Sequence, residues 1–480
     1  MDVLDKTFLN DKNNNLYYQL YNAIEKGMVN TDEDAGKLLY GTGKNDPRYR
    51  MLKSRLKDKV LKSAMMLNLE KSFNNAYGRT YINSIYNNNV IEVLVHLSGT
   101  TKLIYNLIKE DYAVALKFKY YDILINYSYL LLVYYSLNGK HKMFKEEENN
   151  FFKYLDLSQK DRIARYLYFK IIVNFVRKAP ITDEFMKSFK QDLDKLYLYK
   201  TELQNFAVDF QYYYLAFVYY DYTNEANALL RICNESEDKM FKIKDSITNN
   251  RKVITLIYKL KAYIKLKRYR IAKNCLNSFD DKYLLHDNSQ NWFVLKETEF
   301  ILFLQCKDVE EANNIYAQVL ASKSYKRKSA ILTEKWKIYH AYLVFLDNYL
   351  HKGDFKKFSL PKFLNSVPVN SKDKSGFNFA IRVIELMYLL ARRQLVQVYN
   401  KMDALRVYRS RYLKDITYKR NHLFLSLLLK AEKFGFDGRL LQKADWQEIQ
   451  DLRDRKHIIA EWEIIPYEEL WDIFVDLSKK

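Results

Sequence analysis

The side chains able to do chemistry come first. The seven histidines are His96, His141, His286, His340, His351, His422 and His457, and none falls in an HExxH or other short metal-ligand spacing. Cys233, Cys275 and Cys306 form no CxxC pair, and an odd count without a framework points to a reducing compartment. No GxSxG elbow or GxGxxG loop is present. Gly41-Thr42-Gly43-Lys44 has the outline of a phosphate loop. However, Asn45 stands where a Ser or Thr would hold Mg²⁺, Leu38 stands where the first Gly belongs, and no strand precedes it. It reads as a turn between helices. Acidic runs such as Glu146-Glu147-Glu148 read as solvated helix surface. The expectation is a non-enzymatic protein with no catalytic residues, cofactor or metal.

What remains is cationic chemistry. Lys and Arg number 79 against 58 Asp and Glu, a formal net charge of +21. Residues 321–420 hold 22 basic and 7 acidic side chains, so most of the excess sits in about a fifth of the chain. Lys326, Arg327 and Lys328 precede one helix there. Arg392 and Arg393 end another, and Arg406, Arg409, Arg411, Lys414, Lys419 and Arg420 follow, with Tyr408 and Tyr412 interleaved. Guanidinium forks suit carboxylate and phosphate, and a tyrosine ring can stack on a base. Spaced four apart, the same two tyrosines equally fit the core side of one helix. The expected ligand is acidic: a protein or peptide partner, with nucleic acid as the alternative.

A second basic set lies near the start. Asp46 as N-cap and Pro47 at the first helical position open a long helix expected to reach about Glu70. Its apolar stripe is Leu52, Leu56, Val60, Ala64 and Leu67. Arg48, Arg55, Lys59 and Lys62 flank one side of it, and Arg50, Lys53 and Lys57 flank the other. Before this helix, Leu16–Lys26 reads as a helix ending at Gly27, and Thr31 with Asp34 caps a short one that stops at Gly41. Short helix, turn and long basic helix resemble a helix-turn-helix or winged-helix arrangement, which implies a basic helix facing DNA. Lys and Arg stems shielding the apolar seam of a terminal cap fit the same pattern. Residues 1–78 are therefore one N-terminal helical module, either helix-turn-helix-like or a cap.

The elements that position all of this are helices. Only 11 Gly and 5 Pro serve 480 residues, too few for the turns of sandwiches, barrels or Rossmann folds. From about residue 80 a theme recurs: large residue, short polar turn, apolar residue, small residue. It appears as Tyr263-x5-Tyr269-x2-Ala272-x3-Leu276 and Phe303-x5-Val309-x2-Ala312-x3-Tyr316, with Phe217, Thr223, Ala226 and Leu230 as a looser instance. A small residue lets two antiparallel helices approach closely. The spacing resembles the tetratricopeptide repeat, and Lys352-Gly353-Asp354-Phe355 is similar to that family's inter-helix turn.

The chain also departs from that family. Leu260 replaces the first-helix Gly, Phe358 takes a small-residue place, and no terminal Pro closes a repeat. Aligning Ala226, Ala272, Ala312, Phe358 and Val398 spaces them by 46, 40, 46 and 40 residues. Those intervals are nearer the roughly 40–47 of HEAT-like repeats than the roughly 34 of tetratricopeptide repeats.

The expectation is an all-α chain of tandem antiparallel hairpins forming a curved α-solenoid over residues 79–460. Residues 461–480 would be a capping helix buried through Leu470, Trp471, Phe474 and Leu477. Polar Met1–Asn15 does not read as a signal peptide, and Asp122 and Asn126 interrupt the apolar stretch 120–137, so a cytoplasmic protein without a membrane span is expected. Stacked hairpins create grooves, so the resemblance implies a protein-binding scaffold or adaptor.

Overall fold

The computed structural model describes residues 15–64, 76–176, 182–240, 249–279, 289–325, 329–368, 376–413, 418–443, 446–454 and 457–479. Among them every regular element is a helix and none is a strand. Lys326, Arg327 and Lys328 lie outside the described residues. Contacts divide the chain into two compact units, Met1–Leu155 and Asp156–Lys480.

The first unit opens with α1 (Leu16–Glu25), α2 (Asp32–Tyr40) and α3 (Pro47–Ala64). Local chemistry sets their ends. The Thr31 side chain accepts from the Asp34 N–H while the Asp34 carboxylate accepts from the Thr31 N–H, a reciprocal box that starts α2. Gly27 and Gly41, at φ +66° and +70°, end α1 and α2 in a conformation that costs a residue with a Cβ about 1–2 kcal/mol. Then come α4 (Ala76–Ser98), α5 (Lys102–Phe118), α6 (Tyr121–Leu137) and the start of α7 (His141–Val176).

The second unit continues with α8 (Asp183–Leu203), α9 (Phe206–Tyr222), α10 (Ala226–Met240), α11 (Asn249–Lys265), α12 (Tyr269–Asn277), α13 (Gln290–Gln305) and α14 (Val309–Ala321). After α15 (Ala330–Leu350) come α16 (Leu360–Asn365), α17 (Phe377–Ala391), α18 (Leu395–Tyr412) and α19 (Lys419–Lys433). Three last helices follow: α20 (Gly438–Lys443), α21 (Gln447–Arg453) and α22 (Tyr467–Lys479).

Successive helices pack as neighbours, and one turn geometry joins the hairpins. α9, α11, α13 and α17 end at left-handed residues Asn224, Lys267, Lys307 and Arg393, with φ between +54° and +62°. Each donates its N–H three residues back, and the next residue's N–H reaches five back, as in Lys267 to Ile264 and Arg268 to Tyr263. This pair of hydrogen bonds satisfies carbonyls that a helix end otherwise orphans. Lys352 after α15 (φ +52°) and Gly435 after α19 (φ +61°) occupy equivalent places. The six turns recur at intervals of 43, 40, 45, 41 and 42 residues.

That register corrects one sequence alignment. Ala272, Ala312 and Val398 each lie five residues beyond their turn and are fully buried, but the equivalent beyond Asn224 is Leu229, also fully buried, and not Ala226. Ala226 starts α10 instead. Phe358 follows a 3₁₀ turn, Phe355–Lys357, and is half-buried.

Tyrosines staple neighbouring hairpins. The Tyr342 hydroxyl on α15 donates to the Ala380 carbonyl on α17 (2.9 Å), and the Tyr388 hydroxyl on α17 donates back to Ala341 (3.1 Å). Both rings are fully buried, so each polar tip finds the partner that burial demands.

α22 packs against α17, α19, α20 and α21, with Leu470, Trp471, Phe474 and Leu477 buried as the sequence indicates. Gly438 permits the closest approach. A Cβ there would stand 2.5 Å from the Val475 carbonyl oxygen and 2.6 Å from the Lys479 nitrogen. Among the described residues no helix is long and apolar enough to cross a membrane.

Candidate functional site

Four of the sequence-selected cations lie on α3, and three of them meet in one cleft. α1, α2 and α3 close around Leu20, Ala23, Val29, Ala35, Tyr49 and Leu52. The loop between α2 and α3 lies flush on α2, because a Cβ on Gly36 would sit 2.8 Å from the Gly43 carbonyl. The Lys44 N–H in that loop donates to the Glu33 carboxylate at 3.1 Å. A backbone donor that a phosphate loop would offer to its ligand is thus already engaged, in keeping with the turn read from the sequence. Asp46 then starts α3, accepting from the Arg48 N–H (2.8 Å) and the Thr42 hydroxyl (2.6 Å).

One side of α3 faces acid. Asp32 accepts from the Tyr49 hydroxyl at 2.8 Å and from Lys53 at 2.6 Å. The Lys53 and Tyr49 hydrogen bonds hold the Asp32 carboxyl below its usual range. Burial, with the Asp32 charge beside it, pushes the Tyr49 hydroxyl up to about 12.

The other side opens into a cleft of about 650 Å³. Leu16, Tyr17, Tyr40 and Met51 line it with apolar surface, and Arg48, Arg55 and Lys59 bring the cations. The Arg48 guanidinium is 4.9 Å from the Tyr40 ring centroid and the Lys59 ammonium 4.4 Å from that of Tyr17, both within cation–π range. Arg48 also pairs with Asp46 at 2.8 Å, which holds the Asp46 carboxyl well below its usual range. Lys62 follows on α3, its side chain outside the described residues. The cleft therefore offers cationic donors beside exposed Met51 and the tyrosine faces, a surface complementary to an acidic, partly apolar ligand.

The basic constellation of residues 321–420 is placed differently. Arg392 is half-buried, donating to the carbonyls of Phe355 and Phe358 with its guanidinium 5.5 Å from the Tyr388 ring centroid. Arg406 pairs with Asp403 and Glu432, and Arg409 donates to the Ser426 hydroxyl at 3.1 Å. Arg393 and Arg411 are exposed. Tyr408 is buried and stacks on Phe379, so of its two readings the core one holds. Arg392, Arg406 and Arg409 are thus engaged by neighbouring backbone or side chains.

Residues 457–479, with six acidic side chains and one basic, answer part of the positive excess from within the chain. Glu461 pairs with Lys335 at 3.4 Å, Glu468 with Lys267 at 3.1 Å and Asp472 with Arg453 at 3.1 Å. Asn224 donates to the His457 carbonyl and Gln305 to that of Ile464.

At the centre Arg420 is buried, 1% exposed. It donates twice to Glu463 (2.8 and 2.6 Å), once to Glu468 (2.7 Å) and once to the Leu452 carbonyl (2.9 Å). Sequence reasoning grouped Arg420 with the surface cations. No local signal marks it, since its partners lie 43 and 48 residues away.

Among the described residues no three His, Cys, Asp or Glu side chains gather as a metal site. Burial pushes the Cys233 and Cys275 thiols up, away from the thiolate that reactivity needs. No family model, curated protein or solved structure matches this chain.

Proposed function

We propose that the protein is a non-enzymatic binding scaffold or adaptor that holds an acidic protein segment in the cleft between α1 and α3. The observation that carries this reading is the convergence of Arg48, Arg55 and Lys59 on one apolar, tyrosine-lined cleft. Carboxylates of the segment would meet the cations, and its apolar side chains would cover Leu16, Tyr17, Tyr40 and Met51. The hairpins of the second unit are read as a curved α-solenoid of tetratricopeptide-like or HEAT-like type. Support comes from turns that recur every 40–45 residues. Such an array, with exposed Arg393 and Arg411, would present further cationic surface, and the cytoplasm is the proposed location.

A second reading takes duplex DNA as the ligand, with α3 as the helix that faces it. The exposure of Arg50, Lys53, Arg55 and Lys57 favours it. Against it, Asp32, Glu33 and Asp34 crowd the first turn of α2, and Asp32 neutralises Lys53.

Fluorescence anisotropy with a labelled Glu-rich peptide carrying Leu and Phe, and with a labelled duplex, separates the readings. Arg48→Glu with Arg55→Glu and Lys59→Glu should weaken peptide binding at least about tenfold, three lost charge-assisted contacts being worth more than 1.4 kcal/mol. Peptide affinity unchanged by the triple reversal would defeat the scaffold reading at this cleft. Tight duplex binding with a salt slope near −0.9 per phosphate, lost in the same variant, would replace it.

A further inference from the structure

α4 carries large apolar side chains on its outer face as well as its inner one. Its inward face against α5 and α6 carries Ser84, Asn88 and Ile91, all buried. Ser84 donates to Asp111 at 3.1 Å, and Tyr127 donates to the same carboxylate at 2.9 Å, so a polar network fixes which side faces in. Four further large side chains of α4 point outward. Tyr86, Val90, Val93 and Leu97 are 51%, 38%, 57% and 78% exposed. Their spacing of four, three and four residues is the seam by which two helices pair through knobs and holes.

From this we infer that the outer face of α4 is a self-association surface, on which α4 of a second copy lies antiparallel. Two observations select a second copy as the occupant. The stripe is its own complement: about an axis between Ile91 and Glu92, Val90 of one chain faces Val93 of the other, and Tyr86 faces Leu97. Such matching is what a two-fold interface requires of a single patch. Charge is the second. The whole chain carries +21, so copies repel over most of their surface, yet residues 80–101 contain no Lys or Arg. Glu92, the one acidic side chain of that stretch, accepts from Asn126 on α6. Two such faces meet without like-charge opposition.

The test is the mass of the full chain in solution by sedimentation velocity, from roughly 1 to 100 μM, the range in which so short a helical contact should report. A concentration-dependent dimer is expected, held or strengthened by added salt, because screening relieves the repulsion of +21 while the interface has no ion pair to lose. Val90→Asp with Val93→Asp places carboxylates opposite one another and should weaken the dimer at least about tenfold. Both positions are exposed in the monomer, so helicity and melting temperature should hold.

Orientation is read by oxidation against the parent chain as control. Tyr86→Cys with Leu97→Cys should give a covalent dimer. Leu97→Cys alone should not, since antiparallel pairing sets the two Leu97 positions about 16 Å apart. A chain monomeric throughout the range, or a dimer untouched by the double Asp variant, overturns the proposal. Efficient cross-linking through Leu97→Cys alone overturns the antiparallel arrangement.

Discussion

Replacing Arg420 by methionine removes one guanidinium from beneath α22 and leaves two carboxylates behind. Glu463 and Glu468 have side chains 1% and 3% exposed, and three of the four Arg420 hydrogen bonds go to them. Methionine fills most of the stem volume, so the loss is electrostatic and not a cavity. Stripping one partner from a buried ion group costs about 3–5 kcal/mol, because the carboxylates left behind are cut off from water. Lys267 contacts Glu468 at 3.1 Å and offsets part of the excess on that side only. A unit of about 325 residues unfolds with an entropy near 0.7 kcal/mol per kelvin, so the expected fall in melting temperature is about 4–7 °C.

The assay is thermal melting followed by circular dichroism, with urea midpoints as a second measure. Two further variants sharpen it. Arg420→Lys keeps the charge but not the fork, and should fall between methionine and wild type. Arg420→Met with Glu463→Gln and Glu468→Gln removes the stranded charges and should recover a large part of the loss. A single methionine variant within about 1 kcal/mol of wild type, or a triple variant no better than the single, would refute the reasoning.

Lys307 is exposed at φ +62°, where a Cβ is strained, so Lys307→Gly should stabilise by about 0.5–1 kcal/mol despite glycine's greater freedom when unfolded, read as a raised urea midpoint. Gly438→Ala drives a methyl into the Val475 carbonyl and the Lys479 nitrogen, both backbone, and should cost about 1–3 kcal/mol; an unchanged melting temperature would show that α20 and α22 separate freely. His340 stacks on Tyr316 with centroids 4.7 Å apart, and burial lowers its pKa below the ordinary 6.5. Its contribution is therefore present above about pH 6.5 and lost as pH falls through the lower folded value. His340→Phe should flatten the stability profile between pH 7 and 5 by up to one proton's slope, and an unaltered profile would exclude the assignment.

Much of the local structure was legible in the residues themselves. Thr31 with Asp34, Asp46 with Pro47, and the stripe Leu470, Trp471, Phe474 and Leu477 appear in the fold as their spacing implies. Caps and stripes act within a turn or two of helix, so a short window contains both partners. Ala272 and Ala312 were also visible as close-packing positions, since each sits at a fixed distance from its polar turn. The hairpin ends were harder. Lys267, Lys307 and Arg393 take the left-handed place where glycine is the usual signal, so a search for glycine passes over them and misplaces Ala226 by three residues against Leu229.

The sequence by itself determined that this chain is helical, basic and joined by short polar turns, because propensity, periodicity and charge are local sums over residues. Tertiary structure alone decided which charges are available to a ligand. Arg392 and Arg420 look as exposed in the sequence as Arg393 and Arg411. Their fates differ because Phe355 and Phe358 carbonyls surround one, and Glu463 and Glu468 arrive from more than forty residues away to bury the other. The cleft at α3 arose in the same way: Tyr17 reaches Lys59 only after α1 folds back across α3. A side chain's charge is written in its covalent structure, but whether that charge faces water, a partner or its own chain depends on what the fold brings within a few ångströms.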